Sequence, residues 1–527
     1  MSRVELINAR SVDPSPFALT CDTCIVGAGA AGIYLGVRLA SQGVDVAIIE
    51  AGDSVCADAA RAGFSFLLEA ERYPGAEVGR AFGLGGSTSA WGGLLAPHTE
   101  RDTRPVESDA FDVWRHVVGV VTERQNKVLA VLGRPRPADF DTFAHQTLGK
   151  TARALADAGL ATTAGLFLPF RKKNFVQLLN QPLPTGGRLR AVYNAVVSNW
   201  SVSSTRTGAQ LTSLSTVSEN LKQVHITANR FVIAAGAIES ARMLLELDAS
   251  ASQPVVRPGA AVGRGLADHL SVAVADVIPA SRAHAVRQFA PRFSSGWMRG
   301  FRVLEARPPA EAPRAFAHLI FENENPGFAL AKEVFRSMQA RRLPAVSPRL
   351  AVTGLAGFAR LGIDRYLRST LYVSKDTPSH LQLDIEQASV PENRITLSQT
   401  KDRHGRQTPS IHWRISERDI RDILQTSQRL LSKWPTASPN VPVLQPRADV
   451  CDATKPHDAY HPVGTCRMGR DDGAVVDPSL KVWGLTNLWL VSTAVLPSAG
   501  TANPTFTMLC LAEDLVDQMT TVASRTP

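Results

Sequence analysis

CIVGAGAAGIYLGVRLASQGVDVAIIE, residues Cys24 to Glu50, predicts a strand, a tight turn, a helix and a second strand. Ile25 and Val26 close an apolar strand, and Gly27, Gly29 and Gly32 supply GxGxxG. Ala31 to Ala40 carries apolar residues at helical spacing, and Val46 to Ile49 forms the second strand. Each glycine has its own expected task. The first makes the turn, the second lets a pyrophosphate approach the backbone at the helix N-terminus, and the third allows close helix-to-strand packing. Glu50, about 20 residues on at the tip of the second strand, is placed for a ribose hydroxyl, and a carboxylate there disfavours a 2′-phosphate. The unit predicts a dinucleotide site without choosing between NAD and FAD.

Working outward, Phe82 to Gly93 reads FGLGGSTSAWGG. This stretch is too flexible for a core element, so its backbone is expected close to a ligand. Arg230 to Arg242, RFVIAAGAIESAR, predicts another buried strand, a turn at Gly236 and a helix start, completing the parallel sheet of a doubly wound α/β fold. Ala191 to Val202 and Gln223 to Ala228 read as strands of a small antiparallel piece. Ser108 to Gly133 and Thr142 to Ala158 read as helices. From about residue 276 to 450 the character changes. Arg314 to Glu322, His380 to Ala388, Arg394 to Leu397 and Ser410 to Trp413 alternate apolar and polar positions, as strands of a sheet buried on one face do. Lys332 to Arg368 is rich in Arg and Leu at helical spacing. It reads either as a solvated helical pair or as a basic amphipathic flap meeting anionic lipid or a phosphate-bearing substrate.

The bulk numbers exclude several classes. A chain of 527 residues is too long for one core, so two domains are expected. Lys and Arg outnumber Asp and Glu by 57 to 48, an excess spread too widely to argue nucleic-acid binding. The first 23 residues show neither the apolar core of a signal peptide nor a twin arginine, so the expected location is cytoplasmic, with peripheral contact at the inner membrane surface if the basic segment meets lipid. Val482 to Ala512 carries no charge, but Asn487, Pro497, Gly500, Asn503 and Pro504 interrupt it, so it reads as buried strand, loop and helix rather than a membrane span. Six scattered cysteines suggest reduced thiols. Cys21 and Cys24 form CxxC, but three residues apart on a strand they point to opposite faces. His457 and His461 share the spacing of a helical metal pair, yet Pro456 and Pro462 oppose helical geometry, so no metal site is expected.

His461 lies in YHPVGTCRMG and Asn503 in GTANPTFT. With these motifs the chain resembles the glucose-methanol-choline (GMC) family of flavin-dependent alcohol oxidoreductases. The resemblance rests on seven ordered stretches. They are GAGAAG with Glu50, GLGGSTSAWGG, FVIAAGAIESARMLL, VGRGLADH, VPENRITLS, YHPVGTCRMG, and VVDPSLKVWG followed by TANPTFTMLCLAED. The wording STAVLPSAGTANPT is closest to sugar-oxidising members such as pyranose oxidase. The resemblance implies FAD as cofactor. It also implies a Rossmann-like FAD-binding domain from residues 1–105, 185–275 and 451–527, and an α+β substrate domain on an antiparallel sheet from 106–184 and 276–450. His461 matches the histidine that takes the hydroxyl proton as the carbon delivers hydride to flavin N5, and Asn503 matches the residue that hydrogen-bonds the substrate oxygen.

The FAD contacts implied are Gly27, Gly29, Ala30, Ala31, Gly32, Glu50, Gly85, Gly86, Ser87, Trp91, Ala235, Gly236, Ser492, Pro504 and Thr505. Two departures stand out. Ala90 occupies the loop position where some members attach FAD through a histidine, so FAD is expected to be non-covalent. Ser492-Thr-Ala replaces an Asp-Ala-Ser sequence, which alters one cofactor contact. The expected substrate is an alcohol, most simply a sugar or glycoside, and the electron acceptor oxygen or a quinone-like molecule. The alternatives are a sterol or aliphatic alcohol oxidase, and a flavoprotein that binds a lipid-linked glycan without turnover.

Overall fold

Val26 ends the strand Phe17–Val26, Gly27 turns the chain at a φ of 108°, and Gly29 caps the helix Ala30–Ser41. The chain returns as Asp45–Ile49, parallel to the first strand, with Thr23 opposite Val46 and Val26 opposite Ile49. Ile25, Ile33, Leu35, Val46 and Ile48 are fully buried between these elements, which is why the apolar pattern folds as strand, helix and strand. The computed structural model describes residues 4–104, 111–134, 139–184, 186–205, 208–251, 253–322, 325–452 and 455–523.

The unit sits in a mixed sheet. Its order is Glu5–Asn8, Arg188–Tyr193, Asp45–Ile49, Phe17–Val26, Gln223–Ile233, Gly208–Val217 and Val196–Thr205. The first five run parallel, and the last two continue antiparallel. Leu488–Leu490 adds a parallel strand against Phe231 to Ile233. Two expectations are corrected here. Ala191 to Val202 is not one strand, because Asn194, at a φ of 57°, divides it into a parallel strand of the central sheet and an antiparallel one. Gln223 to Ala228 is not separate from Arg230 to Ile233, since both belong to the single strand Gln223–Ile233.

The second sheet is antiparallel, in the order Leu444–Pro446, His269–Val277, Ser379–Glu386, Ala315–Phe321, Trp297–Glu305, Leu160–Phe167 and Leu94–Leu95. Arg394–Lys401 and Gln407–His412 do not join it; they pair with each other and with Leu67–Leu68 in a separate small sheet. A domain boundary at 275 would divide the strand His269–Val277, so we propose the cut just before His269.

The helix expected from Ser108 is described from Phe111, as Phe111–Val131; its expected start lies outside the described residues. Thr142 to Ala158 is two helices, Phe140–Leu148 and Lys150–Asp157, parted at Gly149. The uncharged C-terminal run is strand, loop and the helix Pro504–Ala523, which packs against Phe111–Val131 and Ala30–Ser41. Glu513, buried among the three, accepts hydrogen bonds from Tyr34 Oη at 2.7 Å and Arg38 Nε at 2.9 Å, and Lys127 Nζ lies 2.8 Å away. Among the described residues no helix is long and apolar enough to cross a membrane, no group of side chains could hold a metal ion, and Cys21 and Cys24 are free, buried thiols on one strand.

Candidate active site

A cavity of about 1120 Å³ runs from the glycine-rich turn to His461 and Asn503. The three glycines of the turn behave differently. A Cβ on Gly27 would lie 2.6 Å from the carbonyl oxygen of Ala234, and one on Gly32 would lie 1.8 Å from the carbonyl oxygen of Gly27. A Cβ on Gly29 would meet no protein atom within 4 Å, so the backbone there is open to the cavity at the N-terminus of Ala30–Ser41. That arrangement fits a pyrophosphate.

Of the expected cofactor contacts, Gly27, Gly29, Ala30, Ala31, Glu50, Gly86, Ser87, Trp91, Ala235, Gly236, Ser492 and Thr505 line the cavity; Gly32, Gly85 and Pro504 lie outside its lining. Gly32 packs helix against turn, and Gly85 N donates to Ala28 O at 2.9 Å, which docks the second glycine-rich loop on the first. The Glu50 carboxylate accepts from Ala28 N at 2.8 Å and from Gly52 N and Gly83 N at 2.9 Å each. It therefore braces three turns around the cavity. Ser492 Oγ accepts from Ala494 N at 3.2 Å.

His461 and Asn503 come together at the far end of the cavity. His461 Nε2 lies 2.9 Å from Asn503 Nδ2, and His461 Nδ1 lies 3.1 Å from His269 Nδ1. His269 Nε2 lies 2.9 Å from Gly500 O, and Arg302 Nη2 donates to Asn503 Oδ1. The two ends of this chain fix every proton in it. A carbonyl only accepts, so His269 carries its proton on Nε2 and offers a lone pair at Nδ1. A guanidinium only donates, so Asn503 turns its oxygen to Arg302 and its NH₂ to His461. His461 is thereby protonated on Nδ1, and its Nε2 lone pair faces the cavity. Burial, the His269 imidazole and the Arg302 guanidinium push the His461 pKa down to about 3, so the ring is neutral.

The loops carrying the pair are held from behind. The Asp268 carboxyl accepts from His461 N at 2.8 Å and from Tyr73 Oη at 2.8 Å. Asp102 accepts from Thr501 N at 2.7 Å and Thr501 Oγ1 at 2.8 Å, and His98 Nδ1 lies 2.7 Å from Thr507 Oγ1. Beside the pair, Ser271 donates to Asp384, and His318 Nδ1 lies 3.1 Å from the same carboxylate. Burial works against the charged Asp384, but His318 and Ser271 outweigh it and hold the carboxyl well below its ordinary range.

Sequence reading missed His269, Arg302, Asp384 and Gln339. His269 ends the VGRGLADH motif, which was the one available signal. Arg302 and Asp384 sit on antiparallel strands where a buried charge leaves no periodic trace. Gln339 ends the basic helix Pro326–Gln339 and donates through Nε2 to Thr88 O and Trp91 O at 2.9 Å each, so that helix is not solvated along its whole length.

Comparison with known proteins bears on this site. Residues 389–512 match the GMC oxidoreductase family model, and residues 25–76 match a model of the NAD(P)-binding Rossmann-like domain. An oxygen-dependent choline dehydrogenase of Xanthomonas campestris pv. campestris is 25% identical over 94% of this chain and 95% of its own length. An alcohol dehydrogenase (acceptor) of Pseudomonas putida is 43% identical over 58 residues, 11% of this chain, and the chain spans only 10% of that relative's length. Among solved structures, pyridoxine 4-oxidase from Mesorbium loti superposes with a TM-score of 0.54 at 18% identity, covering 94% of this chain and 99% of that one. A formate oxidase variant of Aspergillus oryzae, solved for the effect of a mutation on FAD modification, superposes with a TM-score of 0.57 at 15% identity, covering 98% and 100%. The structural likenesses speak to the fold, and the C-terminal match spans the loops of His461 and Asn503. On these matches the chain is similar to GMC oxidoreductases over residues 389–512, to the NAD(P)-binding Rossmann-like domain over residues 25–76, and to a choline dehydrogenase along nearly its whole length.

Proposed function

We propose that the protein oxidises a CH–OH group of a sugar or glycoside, with His461 as the base. The names of the relatives, an alcohol dehydrogenase and a choline dehydrogenase, support an alcohol. The observation that carries the finer reading is the cluster of polar side chains beside the pair. Ser271, His318 and Gln382 gather around Asp384 on the cavity lining, and the Asp384 charge acts on His461, which suits a polyhydroxylated substrate better than a sterol or aliphatic alcohol.

The roles follow from the hydrogen-bond chain. The substrate hydroxyl replaces the direct contact between His461 and Asn503, donating to Nε2 and accepting from Nδ2. As the C–H bond breaks, Nε2 takes the hydroxyl proton and Asn503 keeps the oxygen aligned. The imidazolium so formed retains its Nδ1–H bond to His269. FAD, when bound, supplies the hydride acceptor. The backbone from Gly27 to Ala31, Gly86, Ser87, Trp91, Ala235 and Gly236 would hold it, with Glu50 toward the adenosine ribose. Ala90 offers no nucleophile in the loop, so FAD is held non-covalently, and the electrons pass on to oxygen or a quinone-like acceptor. The reading includes a cytoplasmic location.

The test is anaerobic bleaching of the protein's flavin by monosaccharides, glycosides, sugar phosphates, aliphatic alcohols and a sterol. Bleaching by one sugar class is expected, and His461→Ala should slow it about 10²- to 10⁴-fold with FAD still bound. Bleaching by aliphatic alcohols or sterol alone would replace the sugar reading. Flavin that no alcohol bleaches would end the catalytic one.

A further inference from the structure

The helix Pro348–Leu367 turns its apolar face outward. Its inner side is made of small groups: a Cβ on Gly354 would lie 2.9 Å from Leu330, and Gly357 sits directly against Gly327 of the neighbouring helix Pro326–Gln339. Its outer side carries Val352, Leu355, Ile363, Tyr366 and Leu367, between 49% and 81% exposed. At 3.6 residues per turn these five fall within an arc of about 120°. Leu343, in the connection between the two helices, is 90% exposed. More than half of the exposed large apolar side chains among the described residues lie between 338 and 367.

Charge identifies what covers this face. Residues 332–368 contain eight Lys and Arg against two acids, Glu333 and Asp364. Glu333 already pairs with Arg342, and Asp364 with both Arg360 and Arg368. Helical spacing puts Arg349 and Arg360 along one edge of the apolar stripe. A second copy of the chain would bring an identical cationic rim against this one, whereas an anionic surface neutralises it.

We propose that this helical hairpin is a docking surface for an anionic phospholipid bilayer, with Pro348–Leu367 lying in the interface. The helix, about 30 Å long, has the apolar stripe and arginine border of an interfacial helix, and Tyr366 supplies an amphipathic anchor. The same hairpin reaches the cofactor loop through Gln339, and its Arg336 and Arg342 line the cavity, so docking sets the cavity wall beside the membrane. The inference stands on this face alone and does not depend on the alcohol-oxidising reading.

The test is co-sedimentation of the holoprotein with vesicles of phosphatidylcholine, alone or mixed with phosphatidylglycerol. The expected result is pelleting with the mixed vesicles only, weakened by salt. Leu355→Ser combined with Tyr366→Ser, and separately Arg349→Glu, should each lower the bound fraction about tenfold while FAD content and thermal midpoint stay unchanged. Wild-type protein left in the supernatant at low salt would overturn the proposal. So would a concentration-dependent dimer, seen by sedimentation velocity, that Leu355→Ser and Tyr366→Ser dissolve, because the face would then belong to a second copy.

Discussion

His461 keeps its cavity-facing lone pair because of two groups that never touch it, the Gly500 carbonyl and the Arg302 guanidinium. Its protonation is the first quantity to check. The folded-state pKa lies near 3, against 6.5 for an ordinary histidine, so the ring stays neutral as pH falls through the range where a free imidazole gains its proton. The rate of anaerobic flavin reduction should therefore stay level from about pH 8 to about pH 5; loss of half the rate near 6.5 would show that the ring titrates normally. In the proposed mechanism His269 acts through His461, as a positioning residue. His269→Leu removes the acceptor for Nδ1–H, frees the other tautomer, and should slow flavin reduction about hundredfold with FAD content unchanged. His269→Gln has both an acceptor and a donor and should restore most of that rate. Equal loss in both variants would assign His269 a packing role instead.

Among the elements, the dinucleotide unit was the most legible, since its glycines and apolar periods are local facts of the chain. Gly29→Val separates ligand from fold there: the protein has room for the side chain and a pyrophosphate does not. The variant should keep the wild-type circular dichroism and lose FAD, and a fully loaded variant would remove the pyrophosphate from this turn. The strand Trp297–Glu305 and the network around Glu239 were not legible, because their partners lie far away in sequence. Arg302 meets Asn503 across 201 positions, and Arg80 meets Glu239 across 159. No period in one segment encodes such a pairing. Likewise Asn194 gave no sign that it would divide a strand. Glu239 also carries a stability prediction. Burial alone would raise its pKa, but Arg242, Arg406 and Arg80 overcome that and hold it at about 2. The carboxylate thus contributes fully above the ordinary value of 4.5, and its contribution disappears as pH falls toward 2. Glu239→Gln leaves three buried guanidiniums facing a neutral amide and should cost about 3–5 kcal/mol in urea unfolding at neutral pH. The gap from wild type should narrow in acid; a gap independent of pH would mean that the charge is not what matters.

At the scale of the whole molecule, the cavity is walled by both sheets, with Gly27 and Glu50 from one side and Ser271, Arg302 and Asp384 from the other. A cofactor held there without a covalent bond binds the folded protein and not the unfolded chain, so it stabilises both halves together by mass action. Added FAD at about a hundred times its dissociation constant is worth about 2.7 kcal/mol. Spread over the unfolding entropy of a chain this size, that corresponds to a rise of about 2–3 °C in the thermal midpoint. Differential scanning calorimetry of the deflavinated protein across a series of FAD concentrations should therefore show one transition that climbs with the logarithm of FAD. If acid precipitation of the purified protein left the flavin on the chain, so that no deflavinated form could be prepared, attachment would be covalent despite Ala90. If two transitions separated and only one climbed, the cavity would be stabilising the dinucleotide-binding half alone, and His461 and Asn503 would owe their alignment with the second sheet to side-chain contacts such as those of Asp102 and Glu386.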